Sequence, residues 1–304
     1  MPTSRNIRYR IEYGLVRLAA LLLRLLPLDA AVSCGAFAFR LLAPRAQLHQ
    51  RALANIAAAF PEAASAERNR IASAMWGNLG RVAVETLLID RILNDPTRVE
   101  VLAGPDVRRR LLEPGPIIAV TLHMGNWELV PLAHAGCNGA LAAVYRPFRN
   151  PYLDRFMRSQ RVRLYPGGLV AKGRLGADKL AGHATGRGLI AAVREGGALG
   201  FVCDQVGPRG CDTVPFFGYQ AKFNHAPGLV ARHVGARIWA VRCLRVGRKA
   251  RFRIEIKEIP LDHTANRQQD VHKATAAMAG LFEDWIRDAP EQWMWWQRRS
   301  IAET

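Results

Sequence analysis

Alternating buried-strand and helix patterns after residue 95 predict an α/β fold: a largely parallel sheet sandwiched by helices, preceded by a helical, membrane-associating N-terminal region. Two observations predict the sheet. "IIAVTL" (117–122), "ALAAVYRP" (140–147) and "ALGFVCD" (198–204) contain the continuous apolar runs of strands buried on both faces. The segments between them carry helical apolar spacing or end at glycine pairs, as crossover helices do. A third observation predicts the N-terminal region, where "YGLVRLAALLLRLLPL" (13–28) is strongly apolar and interrupted only by arginine.

That apolar run is shorter than the ~20 residues a spanning helix needs. Arg10, Arg17 and Arg24 recur every seven residues, so on a helix they form one narrow basic stripe. A second apolar stretch, "AAVSCGAFAFRLLAP" (30–44), follows Asp29, and no signal-peptide cleavage pattern is present. Residues 1–45 therefore read as helices that lie in or dip through a membrane interface, with the arginines facing anionic head groups at ~1 kcal/mol each. An amphipathic helix packed on its own domain is the alternative.

Residues 46–304 read as one further domain, helical over 46–95 and α/β over 96–304. Ser65 is a candidate helix cap before "AERN". After Pro114-Gly115-Pro116 the period changes to that of a central strand, and "WELVPLAHAG" (127–136) follows as a short helix. A helix near 188–195 ends at Gly196-Gly197. Residues 225–234 are predicted helical and "ARIWAVRCLRV" (236–246) a strand. In "RFRIEIKEI" (251–259), Phe252, Ile254 and Ile256 alternate with charged residues, which predicts a half-exposed edge strand. A long helix over about 266–287 precedes the tail "APEQWMWWQRRS", whose tryptophans either close the core or sit at a membrane interface.

Composition limits the partners. Lys and Arg number 43 against 25 Asp and Glu, a formal charge of +18, which calls for an anionic partner. Nucleic acid is disfavoured, because no nucleic-acid-binding fold is recognisable and the arginines lie among the strongest apolar stretches. The five cysteines are scattered and form no CxxC pair, so neither a disulfide framework nor a zinc site fits. "GRGLIA" (186–191) matches a dinucleotide pattern but follows no strand, and no serine lies in GxSxG. No cofactor and no metal ligand set is assigned.

The chemistry concentrates in "TLHMGNWE" (121–128). On one continuous helix His123 and Glu128 would stand about 140° apart and could not touch. Across a strand end, a turn and the first turn of a helix they can meet, which makes them a candidate acid–base pair. Ligands of open α/β sheets bind outside the carboxyl ends of strands, where His123 falls; Arg146 and Asp204 close two further strands in the same way. The amides of the turn after His123 are candidate oxyanion donors.

These residues carry a resemblance. A histidine, four residues and an acid is the signature of glycerolipid and lysophospholipid acyltransferases. The form with glutamate, followed by "VYRP" and "NP" (144–151), resembles the bacterial lipid A biosynthesis acyltransferases. The likeness continues in order through "FVCDQVGPRGCDTVPFFG" (201–218), "LVARHVGARI" (229–238) and "APEQWMWWQRR" (289–299). It implies a glycerolipid-acyltransferase-like fold at the inner membrane, active site toward the cytoplasm, transferring a secondary acyl chain from acyl carrier protein to a hydroxyl of an anionic lipid A precursor. It further implies His123 as general base with Glu128 as its partner, and Tyr145, Arg146, Arg161 and Asp204 as substrate-binding positions. Where many relatives have a run of threonines, this chain has Lys222-Phe223-Asn224-His225. An acyltransferase acting on another glycolipid or a lysophospholipid, and a non-catalytic basic protein, are the rival readings.

Overall fold

A computed structural model describes residues 4–137, 139–171, 187–188, 190–205 and 210–297. Parts of two motifs therefore lie outside the described residues: positions 186 and 189 of the dinucleotide-like stretch and 206–209 of the 201–218 segment. So do the tail arginines at 298 and 299.

Five helices come first: α1 (Ser4–Arg24), α2 (Leu28–Leu42), α3 (Gln47–Ala59), α4 (Ser65–Leu87) and α5 (Ile89–Leu93). Ser65 is the first residue of α4 rather than its cap; Ala64 holds the extended cap position and makes no side-chain bond. Helices α2 and α4 cross at glycines. A Cβ on Gly35 would strike the Gly80 carbonyl, and one on Gly80 would strike that of Gly35.

The rest builds the sheet: β1 (Val99–Leu102), α6 (Pro105–Leu112), β2 (Ile117–Thr121), β3 (Leu141–Tyr145), α7 (Pro151–Arg161), β4 (Gly168–Ala171), β5 (Ala198–Val202), a hairpin of β6 (Cys211–Phe216) and β7 (Tyr219–Asn224), α8 (Ala226–Val234), β8 (Arg237–Arg245), β9 (Phe252–Ile259) and α9 (Arg267–Asp288). Seven strands form one mixed sheet in the order β1-β9-β8-β2-β5-β3-β4. Every pairing is parallel except β8 with β9. The alternation in β9 is as expected, but β9 is not an edge. Strand β1, too short and charged to announce itself, covers its outer side.

Period-two alternation feeds two cores. Ile118 and Val120 of β2, with Ile238 and Ala240 of β8, pack toward α3, α4, α9 and the tail tryptophans. Ile117, Trp239, Val241 and the apolar face of β9 pack on the other side, with residues of α2 and α5. The tail tryptophans close the first core, since Trp293 and Trp295 are fully buried.

The arginines of the α1 stripe, expected to face anionic head groups, are exposed, and each also makes a contact within the protein. Arg10 donates to the Tyr152 hydroxyl at 3.3 Å, Arg17 lies over the Phe156 ring at 5.1 Å, and Arg24 forms a two-pronged pair with Asp90 at 2.9 and 2.7 Å. The stripe meets α7 and α5, which present aromatic rings and a carboxylate to its guanidinium groups at exposed contacts. About 100° round the helix, Ile7, Ile11, Leu15, Leu18, Leu21, Leu22 and Leu25 are exposed, and Phe37, Leu41 and Leu42 of α2 are exposed too. No helix among the described residues is long and apolar enough to cross a membrane.

Candidate active site

Alternation along β2 places Ile117, Ala119, Thr121 and His123 toward one face, and all four line a single cavity of about 770 Å³. The cavity floor is apolar, formed by Leu141, Ala143, Trp239, Val241 and Ile256 among others. His123, Arg146, Arg161, Tyr145, Gln205 and His225 give it a polar rim. Strands β2, β5 and β3 are parallel neighbours, so the residues after them collect at one end of the sheet. The expected convergence of His123, Asp204 and Arg146 follows from that.

The partner of His123 is Asp204. Its Oδ1 lies 2.7 Å from His123 Nδ1, and its Oδ2 accepts the His123 backbone N–H at 2.9 Å and Trp293 Nε1–H at 3.0 Å. Asp204 is buried, so three donors aimed at it are what keep the carboxylate stable there. A carboxylate on Nδ1 holds the proton on that nitrogen and leaves Nε2 the basic nitrogen beside the cavity. The ring is braced edge-on by Trp127, centroids 5.1 Å apart.

Glu128 does not fill the position beside His123 that the motif spacing suggested. It binds Arg161, with Oε2 accepting from Nε at 2.7 Å and Oε1 from Nη2 at 2.5 Å. The geometry explains the exchange. The turn at 124–126 sends Glu128 into a 3-10 helix (Trp127–His134), facing the end of α7, whereas β5 delivers Asp204 directly beside β2. Burial alone would lower the Arg161 pKa, but the Glu128 carboxylate outweighs it and raises the pKa. Arg161 therefore stays a cation in the cavity wall.

Tyr145 donates to Asp154 Oδ2 at 3.0 Å, and the other Asp154 oxygen accepts the Phe148 N–H at 3.0 Å, which pins the loop between β3 and α7. Burial, then the Asp154 bond, raises the Tyr145 pKa, so its phenol stays protonated. Arg146 lines the cavity without an ion pair to any described residue. Asn150 caps α7, accepting from Tyr152 N at 3.0 Å and Leu153 N at 3.4 Å while donating to Tyr9 O at 2.8 Å.

Most amides of the turn after His123 are already used. Met124 N donates to Leu122 O at 2.8 Å, Gly125 N to Gln292 O at 2.9 Å, Asn126 N to Cys243 O at 3.1 Å and Glu128 N to the Asn126 side chain at 3.2 Å. Of these candidate oxyanion donors, the amides of Met124, Gly125, Asn126 and Glu128 are therefore already engaged. Trp127, first residue of the 3-10 helix, has the one amide of this turn without an acceptor among the described residues. Gly125 is required here: its φ is +57°, and a Cβ would run into the Cys243 carbonyl oxygen.

Sequence reasoning missed Trp293, Asp154 and Gln205. Trp293 and Asp154 act through contacts with another segment that no local spacing signals, and Gln205 is known only as a lining residue of the cavity.

Comparison with known proteins gives the family. The profile of the bacterial lipid A biosynthesis acyltransferases matches residues 2–300. A lipid A biosynthesis palmitoleoyltransferase from Escherichia coli (strain K12) is 25% identical over 253 residues, covering 81% of this chain and 76% of the relative. A lipid A biosynthesis acyltransferase from Shigella flexneri matches over the same shares at 25% identity. With a histidine–aspartate pair at the rim of an apolar cavity, and a family match running nearly end to end, the chain belongs to the bacterial lipid A biosynthesis acyltransferases.

Proposed function

We propose that this acyltransferase moves a fatty acyl chain from an acyl carrier protein thioester to a hydroxyl of a lipid A precursor, with His123 as general base. The observation that carries this reading is the His123–Asp204 pair at the polar end of an apolar cavity. His123 Nε2 takes the acceptor hydroxyl proton as the oxygen attacks the thioester carbonyl. The tetrahedral intermediate collapses by breaking the C–S bond, and the departing sulfur takes the proton back from the imidazolium. Asp204 stays ionised throughout and stabilises that imidazolium. The apolar floor accepts the acyl chain. Glu128 serves the site by holding Arg161, and Arg161 and Arg146 hold phosphate or acidic sugar groups of the acceptor through forked hydrogen bonds. The basic surface suits an acidic carrier.

Residues 1–45 act as the membrane-associating region of the enzyme at the inner membrane, with the active site on the cytoplasmic side. The exposed leucine face of α1, continued by Phe37, Leu41 and Leu42, lies in the plane of the membrane. Because the exposed leucine face is the largest apolar surface of α1 and the stripe arginines are engaged by Tyr152, Phe156 and Asp90, attachment is chiefly apolar. Binding to vesicles of mixed zwitterionic and anionic lipids is expected to survive high salt, which screens head-group attraction but not burial. The triple variant Leu15→Asp/Leu18→Asp/Leu22→Asp should shift from the vesicle pellet to the supernatant. Release of the wild type by salt alone would overturn the apolar mode.

Arg146→Ala is expected to raise the acceptor KM more than it lowers kcat, since a headgroup contact is shared by ground and transition states. Steady-state rates at varied acceptor concentration check this, and a pure kcat defect would count against the role. The whole reading is tested with purified protein, acyl carrier protein carrying a labelled acyl chain, and a lipid A precursor lacking secondary chains. Label should move to the precursor. Label appearing instead on a lysophospholipid or another glycolipid reassigns the acceptor.

A further inference from the structure

We infer that the buried Glu85–Arg245 ion pair, remote in sequence from the catalytic motif, is a positioning element that sets the 123–128 turn for acyl transfer. The inference rests on the proposal that His123 works as the base.

Glu85 of α4 is completely buried, and Arg245 at the end of β8 is nearly so. Arg245 Nη1 and Nη2 donate to the two Glu85 oxygens at 2.5 and 2.7 Å. The pair reaches the turn by three routes. Glu85 Oε2 accepts from Asn126 Nδ2 at 2.9 Å, and the Asn126 oxygen in turn accepts the Glu128 N–H at 3.2 Å. Arg245 Nε donates to Asn78 Oδ1 at 3.1 Å, and Asn78 Nδ2 donates to the Gly125 carbonyl at 2.9 Å. The Arg245 backbone exchanges bonds with the Gln292 side chain at 2.8 and 3.2 Å, while the Gln292 carbonyl accepts Gly125 N–H at 2.9 Å.

All three routes end on residues between His123 and Glu128. Replacing a buried ion pair by apolar residues of similar size is often neutral for stability, so such a pair is weak evidence of a purely stabilising role. What it supplies here is geometry. Two charges with fixed hydrogen-bond directions hold Asn126 and Gly125, one on each side of the peptide that carries the turn. The turn fixes where His123 ends and where Glu128, with its Arg161, begins. A misplacement of ~1 Å at a catalytic group can cost ~100-fold in rate.

The experiment compares Glu85→Met/Arg245→Met and Asn126→Ala with wild type and His123→Ala. Transfer of a labelled acyl chain from acyl carrier protein to the lipid A precursor is measured at saturating substrates, beside both KM values and thermal melting. Asn78→Ala/Asn126→Ala leaves the ion pair intact and cuts both side-chain links to the turn, and it stands beside Asn126→Ala to decide the question if the Glu85→Met/Arg245→Met variant does not fold. A fall in kcat on the order of tenfold to a hundredfold per folded enzyme, with the KM for the acyl donor within about twofold, is expected for each folded variant. Wild-type kcat in folded Asn78→Ala/Asn126→Ala, or a rate loss that merely follows the unfolded fraction, would overturn the inference. If His123→Ala is active, the failure lies instead with the reading of the site.

Discussion

Replacing His123 by alanine removes nearly all acyl transfer, a loss of about 10²–10⁴-fold in kcat, while melting and vesicle binding stay close to wild type. The side chain is mostly buried but reaches the cavity rim, and its removal deletes the proton acceptor without emptying the core. Asp204→Asn is expected to be similarly severe for a different reason. Asp204 accepts from His123 N, His123 Nδ1 and Trp293 Nε1, whereas an asparagine side chain has one acceptor oxygen and an amino group. Either a donor faces a donor, or the imidazole shifts its proton to Nε2 and ceases to be a base there. Loss of an orienting aspartate in other acyl-transfer triads costs about 10⁴-fold. Asp204→Asn also loses stability, because buried donors go unmet at about 1–3 kcal/mol each. Melting temperature and kcat measured together separate the two effects, and a folded, fully active Asp204→Asn would remove Asp204 from the mechanism. The double variant should be hardly slower than His123→Ala, since groups acting as a unit do not add.

The second large effect is expected at Glu128. Glu128→Gln leaves the Arg161 guanidinium in a mostly buried wall without its countercharge, and breaking such a pair costs about 3–5 kcal/mol. Activity and melting temperature should fall together in this single variant. Glu128→Gln/Arg161→Met removes the stranded charge and should recover most of the melting temperature, yet transfer should stay low because the acceptor's anionic group has lost its cation. Wild-type activity in the recovered double variant would make the pair purely structural. If Glu128 acted directly on His123, Arg161→Met alone would be mild, so that single variant distinguishes the two arrangements.

Much of the molecule was legible in its residues. The continuous apolar runs at 117–121, 141–145 and 198–202 are strands β2, β3 and β5, because a strand buried on both faces must be apolar at every position. His123 and Asp204 stand where those runs stop, and parallel neighbours bring their ends together, so their meeting was implied by strand order once β5 was known to lie beside β2. What the sequence could not decide is pairing across space. Four residues between His123 and Glu128 are compatible with contact, but the bonds formed depend on which carboxylate the sheet brings to Nδ1, and that is Asp204. The same holds for the arginines of α1. Their sevenfold spacing determined a stripe, whereas only the fold set the rings of Tyr152 and Phe156 and the Asp90 carboxylate against it, with the leucine face exposed beside it. Glu85, Asn78, Arg245 and Gln292 each look like ordinary polar residues on separate elements. Only packing, which removes water and obliges every buried donor and acceptor to find a partner, joins them to the turn that carries the histidine.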